Sequence, residues 1–400
     1  MKQSTTEQTS MSVANRRHIG VDSIAVERIP LGAPGDYKPC VAKLPNGELL
    51  VSAYRPNIPA GNDPVPGLRE DYGRVLEPPL LFQSLDGGCT WSPPRILNLA
   101  GKEPYLSVTA HGTVFITTHL VVRNVLNKDG QTYGLIHRSE DGGRTWRSIR
   151  AETESERRAE SPGYYSLTNR NVLELSDGSL IVAISGVGPE ANAMWRSTDE
   201  GSTWSERYPA RIEDQPEDYT WSTMGEAVLW QARSGKLYFI LRVDNRGWPR
   251  IDGKPLELSP TELHDNYDRM ILYASTDLGR SWKRVRDFGT YGYMYPSMLR
   301  LQDGRLLLTF TQRAPNRPKG LRAILGTESE DGFDLDFEHD VIMIDERTPL
   351  EQKSGGGFGC TVQLDDGTLV SSYSYRSALE PFAGEDRELH LEIARWHAPS

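Results

Sequence analysis

Six positions in the chain recur at one fixed distance from a turn. Counting back nine residues from Gly47, Gly112, Gly178, Gly235, Gly304 and Gly367 gives Lys38, Glu103, Asn169, Glu226, Tyr295 and Phe358. An amine, two carboxylates and a phenol in one set are too polar for a plain core plug. Counting forward past the same turns gives Arg55, His119, Arg242, Arg313 and Arg376 near the ends of the following segments. If both sets meet at one mouth, several guanidinium groups surround it. That is the composition of an anion pocket, because the guanidinium presents a fixed fork of donors to an oxyanion.

The elements that must position these residues are hairpins. KLPNGELLVSAYR, SVTAHGTVFITTHL, LELSDGSLIVAIS, LWQARSGKLYFILR, LRLQDGRLLLTFTQR and VQLDDGTLVSSYSYR are each two alternating apolar runs around a glycine turn. Their turn glycines are 57 to 69 residues apart. A second motif interleaves with them: SLDGGCTW from Ser84, SEDGGRTW from Ser139, STDEGSTW from Ser197 and STDLGRSW from Ser275, with a worn copy, SEDGFDLDF, from Ser329. Each reads as a structural corner. Its aspartate closes an Asx-type turn, its glycine takes a positive φ, and its tryptophan starts the next strand.

A near-constant period with about four strands per repeat predicts an all-β, six-bladed β-propeller spanning residues 18–398 as one domain. Residues 1–17 read as a disordered tail. The sixth unit has no corner motif. ELHLEIARW near the C-terminus supplies its third strand and HIGVDSIAVERI its outer one, closing the ring without a covalent link and removing free sheet edges. Strand one of each unit lies innermost, so the fixed-distance residues face the axis. Long loops are expected at Arg55–Pro79, Ile149–Tyr165 and Asp244–Asp268. The first and last of these are the better places for function.

Composition narrows the partners. The formal net charge of −10 argues against nucleic acid, which wants a basic face, but leaves room for a local arginine cluster. Three cysteines without a CxxC suggest neither a disulfide framework nor a thiolate zinc site. No metal or cofactor is expected, although His264 to Arg269, HDNYDR, has metal-like letters. No apolar run is long enough to span a bilayer, and the polar first twenty residues lack the apolar core of a secretory signal. A cytoplasmic location is the expectation.

The corner motif has the residues of the Asp box, and the chain resembles the sialidase (neuraminidase) superfamily of β-propellers. In that family a glutamate opens a strand and an arginine closes the next. GEAVLWQARSGKLYFILR matches, which implies Glu226 and Arg242. RMILYAS matches the family arginine ahead of an Asp box, implying Arg269. YPSMLRLQDG matches the segment of the nucleophilic tyrosine, implying Tyr295, with Pro296 where the family has serine and with Tyr291 and Tyr293 nearby. The acid/base aspartate of the first long loop falls on Asp71, with Asp63 as second choice. One departure stands out. The family arginine of the first blade is absent, and GDYKPCVAKLPNG offers Tyr37 or Lys38 in its place, while the ERIP at Glu27 lies too far upstream.

The resemblance implies an exo-acting hydrolase that releases a terminal sialic acid or related acidic sugar with retention. Tyr295 would be nucleophile, Glu226 its base and Asp71 the acid; Arg242, Arg269, Lys38, Arg55 and Arg313 would bind substrate. A neutral phenol suits an anomeric carbon that already bears a carboxylate, since a second carboxylate ~4 Å away would be repelled by about 4 kcal/mol at an effective dielectric of ~20. His119, Arg123, Tyr219 and Trp221 are lesser candidates for the pocket wall. Two other readings remain open at this point: a propeller enzyme of arabinanase or uronate lyase type, and a glycan-binding propeller without catalysis.

Overall fold

The computed structural model describes residues 7–55, 58–59, 75–76, 78–120, 132–151, 165–185, 192–213, 226–243, 250–251, 254–255, 268–313, 316–329, 332–348, 356–377 and 389–400. All regular elements among them longer than a single turn are strands. No helix among the described residues is long and apolar enough to cross a membrane.

Each glycine-turn hairpin forms as an antiparallel pair: Tyr37–Lys43 with Leu49–Tyr54, Lys102–Val108 with Val114–Leu120, Val228–Gln231 with Leu237–Val243, Tyr293–Arg300 with Leu306–Gln312, and Gly357–Gln363 with Leu369–Arg376. In the third unit Tyr165–Thr168 and Leu173–Glu174 share that role against Leu180–Ser185. A third strand then runs into each corner motif, as Pro79–Ser84 does beside Leu49–Tyr54. Alternation sends successive side chains to opposite faces. Both faces are apolar because each sheet is sandwiched between two others.

Packing closes these sheets into a ring. Leu50 and Leu81 of the first unit share a cluster with Leu106 and Ile116 of the second and also with Cys360 and Ile393 of the last. Further clusters join the second unit to the third, the third to the fourth, the fourth to the fifth, and the fifth to the last. The last sheet is completed by the N-terminal strand Ser23–Leu31, which pairs with Leu389–Trp396 from Val26↔Trp396 to Leu31↔Leu391.

Residues 7–14 correct the expectation of a disordered tail. Glu7–Ala14 is a strand, paired from Glu7↔Arg28 to Ser12↔Ser23, and Val13 and Ala14 pair onward with Ile342 and Val341 of the fifth unit. The reason is in the alternation of TSMSVA, which turns Met11 and Val13 inward, both buried. The strand ties the fifth unit to the last.

The four corner motifs share one hydrogen-bond scheme. In the first, the Ser84 hydroxyl donates to Asp86 at 2.8 Å and accepts from the Gly88 amide at 2.8 Å, while Asp86 accepts from the Thr90 amide at 2.9 Å. Asp141, Asp199 and Asp277 repeat it. Bonding to Thr203 and Ser197 holds the Asp199 carboxyl down at about 2. These aspartates are occupied in turn geometry, at the rim away from the inner ring.

Candidate active site

The inner ring is built by bulges. Two residues of an inner strand face one residue of its partner between Tyr37 and Cys40, between Met294 and Ser297, and between Gly357 and Cys360; the second unit has the matching shift opposite Thr117–His119. The first bulged residue is Lys38, Glu103, Tyr295 or Phe358, and all four have positive φ, between 49° and 56°. Such a bulge re-aims one side chain, here toward the axis. The residue after it is Pro39, Pro104, Pro296 or Gly359. A bulge needs no ladder N–H there, so proline is tolerated. Pro296 is thus a feature of the bulge, shared with two other units.

Tyr295 is the centre of the group. It is buried, and its hydroxyl accepts from Arg242 Nη1 at 2.6 Å and lies 3.4 Å from Glu226 Oε1. Arg242 also bonds Glu226 directly and clamps Asp268 through Nε at 2.7 Å and Nη2 at 2.5 Å. The hairpin sets this up: Glu226 lies at the foot of its first strand and Arg242 at the end of its second. Burial pushes the Tyr295 phenol well above its ordinary value, with Arg242 opposing and Glu226 reinforcing the rise.

Around the phenol stand further cations. Lys38 Nζ lies 5.2 Å from the Tyr295 ring centre and 4.8 Å from that of Phe358. It pairs with Glu103 at 2.6 Å. Burial lowers the Lys38 ammonium to about 8 against the pull of Glu103 and Glu226. Burial works to raise the Glu103 carboxyl, but Lys38, His119 and Lys102 hold it well below the usual range. Arg313, buried, sits 5.6 Å from the Tyr295 ring and 4.8 Å from the Phe358 ring. Burial drops the His119 imidazole to about 4, so it is neutral near pH 7.

Arg170 belongs to this group, and the sequence count missed it. Its guanidinium lies 4.1 Å over the Tyr295 ring and 3.8 Å from Glu226 Oε1, and its buried Nε has no hydrogen-bond partner among the described residues. The third unit's inner strand is broken differently: Thr168 pairs with Ile184 and Leu173 with Ile181, two extra residues where the first, second, fifth and last units have one, and a change of register swaps which side chain faces a given side. Asn169 is consequently turned into the sheet, where it accepts the Ala183 amide at 2.8 Å and donates to the Asn171 carbonyl at 2.7 Å. Arg170 takes the channel position. Lys38, Glu103, Arg170, Tyr295 and Phe358 wall one cavity together with Cys40.

The sequence-based site is therefore gathered in part. Tyr295, Glu226, Arg242, Lys38 and Arg313 come together. Arg269 does not join them: the ladder sets Arg242 beside Met270 and Val243 beside Arg269, so the two arginines leave opposite faces of the sheet. The described partners of Arg269 are the Tyr291 hydroxyl at 3.1 Å and Asp287 at 3.8 Å. Arg55 is held at the first unit's rim by the buried Asp36, at 2.6 and 3.0 Å. Asp71, Asp63, Arg123, Tyr219, Trp221 and His264 lie outside the described residues. Among the described residues no cluster of three or more histidine, cysteine or acidic side chains is placed to hold a metal ion.

No protein-family model and no curated protein matches the chain. Solved structures do. A protein of unknown function from Dyadobacter fermentans superposes with a TM-score of 0.62 at 19% identity, covering 98% of this chain and 99% of that one. The intramolecular trans-sialidase from Ruminococcus gnavus, solved with oseltamivir carboxylate, gives 0.59 at 16% identity over 90% of this chain and 94% of its own. The NanB sialidase from Streptococcus pneumoniae gives 0.58 at 14% identity, over 91% of this chain and 68% of its own. At such identities the likeness is one of fold.

Proposed function

Starting from a chain with the all-β propeller fold of the sialidases, we propose that it is a glycoside hydrolase acting on a terminal anionic sugar, such as a sialic acid, with retention of configuration. One observation carries the reading: a buried tyrosine hydroxyl at the axis, held between an arginine donor at 2.6 Å and a glutamate at 3.4 Å. Tyr295 attacks the anomeric carbon while Glu226 takes the phenolic proton, and the contact tightens from its ligand-free length when substrate binds. Arg242 steadies the phenolate as it forms. Asp71 is proposed as the acid that protonates the leaving oxygen.

Charge around the phenol supports an anionic substrate. Four cations, Lys38, Arg170, Arg242 and Arg313, approach Tyr295 among the described residues, against the carboxylates of Glu103, Glu226 and Asp268. His119 adds no charge at neutral pH. A sugar carboxylate is the proposed ligand of this cation-rich group. Arg242 is already clamped by two carboxylates, so Lys38 and Arg170 are the cations assigned to the ligand.

The test is turnover of 4-methylumbelliferyl α-sialoside, with 4-methylumbelliferyl glucuronide and an arabinofuranoside in parallel. Tyr295→Phe should lose at least about 10³ in kcat while still binding substrate. NMR should detect the α-anomer as first product. Unchanged turnover in Tyr295→Phe would remove the assigned nucleophile. Cleavage of the neutral arabinoside alone would favour the arabinanase type, and binding without any turnover a lectin-like propeller.

A further inference from the structure

Cys40 and Cys360 stand where the ring closes. Each lies two residues past a bulged ring residue, Cys40 after Lys38 on the first unit's inner strand and Cys360 after Phe358 on the last unit's. They are 320 residues apart in sequence, yet their sulfurs are 3.4 Å apart. Both are buried, at 2% and 4% exposure. The Cys360 sulfur accepts the Val41 amide at 2.9 Å, and the Cys40 sulfur accepts the Leu106 amide at 3.3 Å. The two thiols are thus held face to face across the seam between the first and last sheets. That seam is also joined by packing, by the strand Ser23–Leu31 carried around from the N-terminus, and by side-chain contacts such as Lys43 with Asp365 at 2.6 Å and Arg395 with the Gly87 carbonyl at 3.0 Å.

We propose that Cys40 and Cys360 form a reversible disulfide that seals the ring, an oxidative modification site independent of the assigned hydrolase activity. A disulfide needs its sulfurs at about 2.05 Å, and the remaining approach of about 1.4 Å is shared by two side chains on strands that already face each other. Cys40 belongs to the wall of the axial cavity. The oxidant is a low-molecular-weight disulfide. One cysteine thiolate attacks it and expels the first small thiolate; the second cysteine displaces the other from the mixed disulfide. The small disulfide is reduced to two thiols, which carry away both protons, and the two cysteines are oxidised. Cys89, the third cysteine, sits half-buried in the Ser84–Trp91 corner and takes no part.

The experiment uses the full chain carrying Cys89→Ser, folded, with oxidised glutathione and then with dithiothreitol. Thiols are counted in denaturant after acid quenching. The count should fall from two to none, the monomer should run faster on a non-reducing gel, and peptide mass mapping should find Cys40 linked to Cys360. Unfolding in denaturant should slow about tenfold or more and recover on reduction, because the crosslink closes a very long loop. Two thiols surviving in the folded protein would overturn the proposal, as would a stable glutathione adduct or a disulfide-linked dimer. Cys360→Ser added to Cys89→Ser should abolish the fast-running species; its persistence would equally refute the pairing.

Discussion

Replacing Arg242 by methionine tests the centre of the site most directly. The side chain is 5% exposed and holds three partners at once: Glu226, Asp268 at 2.5 and 2.7 Å, and the Tyr295 hydroxyl at 2.6 Å. Methionine keeps the apolar stem and deletes the charge. Asp268, 3% exposed, is then left without its clamp, and removing one member of a buried ion pair costs about 3–5 kcal/mol. At about 1.4 kcal/mol per decade, that is roughly two to four orders of magnitude in the folded-to-unfolded ratio. Urea titration followed by tryptophan fluorescence reads it directly. The double variant Arg242→Met with Asp268→Asn removes the orphaned charge as well and should recover about 1–3 kcal/mol. A loss under about 1 kcal/mol for the single variant, or a further loss in the double, would refute the view that Arg242 is the neutralising hub of this buried group.

Other consequences are as direct. Lys38, lowered from 10.5 to about 8 by burial, carries its charge below that value, so affinity for an anionic sugar or inhibitor should fall as pH rises through 8; Lys38→Met should bind more weakly and lose that dependence, seen by calorimetry across pH 6.5–9. The same depressed value contributes stability that is present above 10.5 and lost as pH falls through 8, so unfolding midpoints should show that component rising with pH in wild type and not in Lys38→Met. Deleting residues 1–14 should lower the unfolding midpoint measurably, because Met11 is buried and Glu7–Ala14 bridges two sheets; an unchanged midpoint would restore the disordered-tail reading. Gly201→Ala, at φ +73° and with the Phe115 ring 2.5 Å from the added carbon, should cost about 1–3 kcal/mol in urea titration.

The sequence carried the architecture because the hairpin turns and corner motifs repeat at nearly fixed spacing, and repeats of that kind leave few ways to bury both sheet faces. It carried the positions of Glu226 and Tyr295 for the same reason, since each stands nine residues before a turn glycine, and that of Arg242 because it ends the strand after one. It failed where local geometry breaks the count. Arg170 was hidden because its unit carries two extra residues on the inner strand where its counterparts carry one, which cannot be inferred from spacing alone. Arg269 was placed with Arg242 on a motif, although alternation along the strand sends it to the other face. Glu7–Ala14 looked too polar to order because Met11 and Val13 are the large apolar side chains that it buries among the described residues. The Cys40–Cys360 contact spans almost the whole chain and has no local signature.

The bulges at Lys38, Glu103, Tyr295 and Phe358 have an engineering consequence. Each re-aimed side chain projects from a kink that the flanking ladder tolerates, so its identity matters little to the hydrogen-bonded frame around it. The mouth of the ring is then a set of interchangeable sockets on a rigid hub. Exchanging phenylalanine for a histidine, or the Lys38–Glu103 pair together for neutral residues, should retune which sugar is accepted while leaving the wheel itself assembled.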